Sequence, residues 1–214
     1  APLWLAPLLP WIYWAHPAVR AANAFDFHPE VVMLPLGLAA VVGLQSVRGR
    51  IGGALALLLM LACKESAGPI VAGMGLAWVL GAGPAPTRAF TRRLGWAVGV
   101  IGCLVFWFDV AVVPRLFGGT YAYSGAFSHL ANGGLGEWVR SLIGPTRIRF
   151  LAFLLVPLGL LPLLSPRASL WAFVPAVLML FLGEGDLRVG TVFHYGVEPL
   201  VGLMWSAAAA RRFI

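Results

Sequence analysis

Charge is what this chain has least of. Of its 214 residues only 11% are Asp, Glu, Lys or Arg, against roughly 25% in a soluble globular domain. Carboxylates are scarcer still, eight in all. A water-soluble domain with so few charges would have no means of solvating its surface, so that class is excluded. Cysteine is nearly absent: Cys63 and Cys103 both fall inside apolar blocks. They read as small packed residues, which excludes a disulfide framework or a CxxC redox site. No soluble domain, polar linker or internal repeat is visible. No phosphate-binding glycine loop, Ser-His-Asp order or zinc-finger spacing is found, and no charged leader with a cleavage site. The chain opens on Ala1-Pro-Leu-Trp-Leu-Ala-Pro-Leu-Leu-Pro10 without a methionine, and a fragment lacking earlier helices is the expectation.

What is present in excess is hydrocarbon. Sixty per cent of the residues are hydrophobic and the mean hydropathy is +0.89. These residues come in blocks about as long as a bilayer crossing, which predicts an all-α, polytopic transmembrane bundle forming a single membrane domain over residues 1–214. Crossings are expected at 31–47, 51–62, 67–80, 94–113, 150–164, 168–182 and 200–210. Residues 114–149 form the longest polar stretch and are expected as an extracytoplasmic loop region. From Arg50 to Lys64 a helix rises only about 21 Å, short of the ~30 Å hydrocarbon layer. Lys64 and Glu65 should therefore sit below the far surface, facing protein or a water-filled cavity.

The net charge of +7 would point to nucleic acid in a soluble protein. Here the arginines occupy short loops, and nucleic acid is not the partner; membrane lipids are. One set of loops carries Arg48, Arg50, Arg88, Arg92, Arg93, Arg167, Arg211 and Arg212 with no acidic residue. The other holds all eight carboxylates, all four histidines and the remaining seven basic residues. By the positive-inside tendency the first set is cytoplasmic. That sidedness puts three polar groups on one extracytoplasmic face: Asn23-Ala-Phe-Asp26-Phe-His28-Pro-Glu30, Cys63-Lys64-Glu65-Ser66, and Phe193-His194-Tyr195-Gly-Val-Glu198.

Each group has a functional and a plain reading. Asp26, His28 and Glu30 offer base or metal-ligand capacity at a cavity mouth, or cap the helix that Pro29 begins. Lys64 and Glu65 are costly within a crossing and usually face an interior cavity. Lys64 would bind phosphate as a point charge and Glu65 would accept a proton, or the two simply pair with neighbouring helices. His194 and Glu198, spaced i and i+4, share a helix face. With His28 and Glu30 they are a divalent-metal candidate, or a hydrogen-bonded pair inside the bundle. Tyr123 in the outer loop stacks on a sugar or belongs to an aromatic belt. Arg140, Arg147 and Arg149 form a basic cluster that meets lipid head groups or a phosphate, or, as the default, are solvated loop charges.

The order Asn23…Asp26-Phe-His-Pro-Glu30, Lys64-Glu65, Tyr121-Ala-Tyr-Ser124, Pro157-Leu…Leu160-Leu-Pro-Leu163 and His194-Tyr195 resembles domain-of-unknown-function family 2079. That is a bacterial and archaeal group of multi-pass membrane proteins. Ser66 stands where that family commonly has an acid. The resemblance implies a GT-C-like membrane glycosyltransferase using a polyprenyl-phosphate sugar at the extracytoplasmic face of the cytoplasmic membrane. It also implies a catalytic acid in a loop preceding Ala1. Asp26, His28, Glu30, Lys64, Glu65, Tyr123, His194 and Tyr195 would then contact substrate. The alternative is a transporter or non-enzymatic membrane protein with an intramembrane ion pair.

Overall fold

The structure is a computed structural model that describes residues 8–24, 29–44, 47–82, 88–120, 143–172 and 197–210, with isolated helical positions at 136 and 139. Among the described residues all regular structure is helical. Two short helices, α1 (Leu8–Ala15) and α2 (Pro17–Ala24), precede α3 (Pro29–Leu44), α4 (Arg50–Leu61) and α5 (Ala67–Ala77). Then come α6 (Arg88–Trp107), α7 (Val113–Leu116), α8 (Pro145–Leu155) and α9 (Val197–Ala210).

Glycine sets how closely these helices approach. The helices α5 and α6 pack against each other with backbones almost touching. A Cβ on Gly68 would lie 2.7 Å from the Phe106 Cβ, and one on Gly95 would lie 2.8 Å from the Gly75 carbonyl oxygen. These contacts fix an antiparallel register, and small residues at such spacing are how helices associate where no hydrophobic force drives them together. The α3–α4 hairpin is closed in the same way: a Cβ on Gly43 would lie 2.7 Å from the Gly53 Cα. Helix α9 runs through the interior, with Leu200 and Val201 fully buried. Gly37 of α3 faces Val201, while Gly73 of α5 and Gly202 of α9 both abut the backbone of Trp171.

Apolar side chains point outward as well as inward. Residues Phe90–Leu116 form one continuous helical run of 27 residues, whose most apolar 18-residue window has a mean hydropathy of 2.2 and is only 11% buried. At 1.5 Å per residue it is about 40 Å long, enough to cross a bilayer. Trp96, Leu104 and Trp107 lie exposed along it. In water such a surface would cost about 25 cal/mol for every Å² left bare; in hydrocarbon it costs nothing. Among the described residues this is the single helix long and apolar enough to span; Val31–Leu44, Arg50–Leu61 and Ala67–Ala82 are apolar but shorter.

Prolines and glycines shape the departures from ideal helix. The run from α6 widens to a π turn at Phe108–Val112 before α7. Pro114 has no N–H for the carbonyl four residues back and its ring clashes there, so the ladder opens. Beyond α5 a second π turn, Trp78–Ala82, ends on Gly81 at φ 90°. The expected crossing at 150–164 is not one helix. Helix α8 stops at Leu155, and two 3₁₀ turns follow, Val156–Leu158 and Leu161–Leu164. Gly159 (φ 61°) and Leu160 (φ 58°) between them are left-handed, because Pro157 and Pro162 cannot continue an α-helix. The carbonyls freed by this break are recovered by hydroxyls. Ser169 donates to the Pro162 carbonyl at 2.6 Å and lies 2.7 Å from the Ser206 hydroxyl of α9, which sits 3.1 Å from the Ser165 carbonyl. Irregular backbone is tolerated at membrane depth when it is re-satisfied in this way.

Candidate functional site

The polar centre of the described structure lies where the α4–α5 turn meets the start of α9. Helix α4 is apolar to Leu61, and the polar run Lys64-Glu65-Ser66 turns the chain, with the Lys64 and Glu65 carbonyls accepting from the Ala67 and Gly68 amides. Glu198 sits in the first turn of α9, where the positive end of the helix dipole favours a carboxylate. The Ser66 hydroxyl donates to Glu198 Oε1 at 2.8 Å, and the Lys64 ammonium lies 3.5 Å from the same oxygen. Glu198 is 1% exposed and the Lys64 side chain 17%, so the carboxylate belongs to the interior and the ammonium reaches a boundary. The partners are 134 residues apart in sequence. This contact therefore fastens α9 to the α4–α5 turn.

Two further carboxylates, Glu65 and Asp109, lie at the same end of the bundle. Gly68 meets Phe106 across the α5–α6 interface; Glu65 precedes Gly68 by three residues and Asp109 follows Phe106 by three. The two lie within electrostatic reach of each other, and both are half-buried. Asp109 belongs to the π turn that Pro114 opens. The other end of the same helices is basic: the Arg50 guanidinium lies 4.8 Å from the Phe90 ring centroid. Glu65 and Asp109 thus lie at the end of these helices away from Arg50, where Arg115 also follows in α7.

Of the residues read from sequence as contacting substrate, Lys64 and Glu65 are in this site. Glu30 is the second residue of α3. Asp26, His28, Tyr123, His194 and Tyr195 lie outside the described residues, although His194 precedes Glu198 by four positions. Among the described residues no three His, Cys, Asp or Glu side chains cluster as metal ligands.

Three features escaped the sequence. His16 is buried between α1 and α2. Its Nδ1 accepts the Ala18 amide at 3.1 Å, which leaves Nε2 to donate to the Leu154 carbonyl at 3.3 Å. The ring is thus a neutral cap on α2, and burial pushes its pKa down, against the smaller upward pull of the Leu154 bond. Its place immediately before Pro17 was the one available signal, since Pro at a first helical position asks for a cap ahead of it. Arg147, expected as a solvated loop charge, is buried at 2% exposure in the first turn of α8, while Arg149 is exposed as expected. Ser66 appeared as a missing acid, and its role is to donate to Glu198.

Residues 2–210 match the family model described as predicted membrane protein (DUF2079). No curated protein and no solved structure matches the chain.

Proposed function

The chain belongs to the DUF2079 family of predicted membrane proteins, and on that footing we propose that it is a multi-pass protein of the bacterial or archaeal cytoplasmic membrane that transfers a sugar from a polyprenyl-phosphate donor at the extracytoplasmic face. The observation that carries this reading is Lys64. Glu198, which also accepts from Ser66, holds it at the end of the bundle away from Arg50, with its ammonium still partly exposed. In the proposed reaction an acceptor hydroxyl attacks the anomeric carbon and a carboxylate takes its proton. The bond from that carbon to the phosphate oxygen breaks, and the lipid phosphate leaves with the electron pair. Lys64 offsets the charge that develops on the departing oxygen. Asp26, His28, Glu30, Glu65, Tyr123, His194 and Tyr195 are assigned to the sugar pocket.

The test is sugar transfer by the full-length protein in membranes, supplied with polyprenyl-phosphate sugars. Turnover that falls steeply in Lys64→Ala supports the proposal. No turnover with any such donor, or full turnover in Lys64→Ala, overturns it.

A second reading has one observation in its favour. The Lys64–Glu198 pair ties α9 to the α4–α5 turn, as an ion pair that holds or releases a helix in a transporter would. It predicts solute flux that follows pH or membrane potential and is altered by Glu198→Gln.

A further inference from the structure

The break after α8 leaves a half-open apolar cavity of about 240 Å³. Leu154, Pro162, Ala172 and Leu203 form its buried floor, and Leu163 and Pro166 its exposed rim. Among its described lining residues Ser169 is the one polar side chain, and its hydroxyl is already given to the Pro162 carbonyl. A ligand here would find no hydrogen-bonding group to orient a head group. The volume lies below the roughly 300–1,000 Å³ of sites that enclose whole small molecules, so it suits a length of hydrocarbon. Leu163 of the rim is exposed, as are Val156, Leu160 and Leu164 of the same broken segment, the kind of surface that faces lipid. Arg167, which follows the rim residue Pro166 in the chain, is exposed. Leu160 keeps the bend at φ 58°, a conformation that bulky L-residues avoid and that persists where the surroundings require it.

We propose that this cavity is a binding site for an anionic phospholipid, with one acyl chain lying between α8, the 3₁₀ turns and α9 and its phosphate resting on Arg167. The site is separate from the Lys64–Glu198 centre, and the proposal stands whether or not sugar transfer does. A cation one residue beyond the rim residue Pro166 would select by charge, as basic residues beside membrane segments do for acidic lipids.

The experiment is lipid retention by the full chain after purification from nanodiscs of mixed phosphatidylglycerol and phosphatidylcholine, read by mass spectrometry. A parallel arm contains polyprenyl phosphate. The expected result is phosphatidylglycerol enriched over phosphatidylcholine on the purified protein. Leu155→Trp, which fills the groove from α8, should abolish retention. Leu163→Trp on the exposed rim serves as the second filling variant if the first does not fold. Arg167→Gln should keep the bound lipid but erase the preference for phosphatidylglycerol. Equal retention in the filling variants, no head-group preference in the unaltered chain, or selective capture of polyprenyl phosphate would each overturn the proposal.

Discussion

Replacing Lys64 by methionine removes the cation from a carboxylate that is 1% exposed. At 3.5 Å and an effective dielectric of about 20, the attraction within the pair is about 5 kcal/mol. Much of that offsets the desolvation of the two ions, which is why buried pairs add little net stability. Loss of one partner is a different matter, because the remaining charge keeps its desolvation cost; the usual penalty is about 3–5 kcal/mol. Lys64→Met should therefore lower stability by about 3 kcal/mol. Glu198→Gln should cost less, because its side-chain oxygen still accepts from Ser66 and the partly exposed ammonium can turn to water. The double variant should recover part of the loss, with a coupling of about 2 kcal/mol. Reversible unfolding in mixed micelles, followed by tryptophan fluorescence, measures all four members of the cycle. If the two single losses simply add to within about 0.5 kcal/mol, the pair does not fasten α9 and the site as drawn is wrong.

Neighbouring glycines should respond with opposite signs. Gly52→Ala points into open space and should stabilise α4 by about 0.5–1 kcal/mol, whereas a Cβ on Gly53 would lie 2.6 Å from the Leu44 amide nitrogen, so Gly53→Ala should destabilise by about 1–3 kcal/mol; thermal unfolding in detergent reads both. Ser206→Ala removes a buried hydroxyl from the Pro162 and Ser165 carbonyls and should cost about 0.6–1.7 kcal/mol by the same assay. His16 gives a pH signature. Its folded pKa is depressed below the ordinary value of about 6.5, so its contribution is full above that pH. As pH falls below about 6.5 the unfolded chain takes up a proton that the native imidazole refuses, and stability declines; in His16→Ala this part of the pH dependence should vanish from the unfolding curves.

Composition was enough to read an all-helical membrane chain, because that follows from what hydrocarbon excludes. The α4–α5 turn at Lys64-Glu65-Ser66 was legible for the same reason: a charged pair after a short apolar run must turn or hide. That Glu198 is the partner of Lys64 was not legible, since 134 intervening residues carry no local sign of the meeting. The break at Gly159-Leu160 was hidden by hydropathy. Leu, Pro and Gly there are as apolar as a spanning helix, and only the spacing of Pro157 and Pro162 records that the ladder fails. Arg147 was misjudged because burial of a charge depends on what packs over it, which no window of sequence contains. The glycine contacts between α5 and α6 were visible as composition but not as pairing, because register across two helices is a tertiary property.

Everything proposed for Lys64 depends on the carboxylate end and the arginine end of the helices facing opposite sides of the membrane. Reporters active only in the cytoplasm, fused at Arg92 and at Gly133 of the full-length protein, test this directly. Activity at Arg92 and silence at Gly133 is the predicted result. The same response at both positions would place the two ends in one compartment and contradict the account.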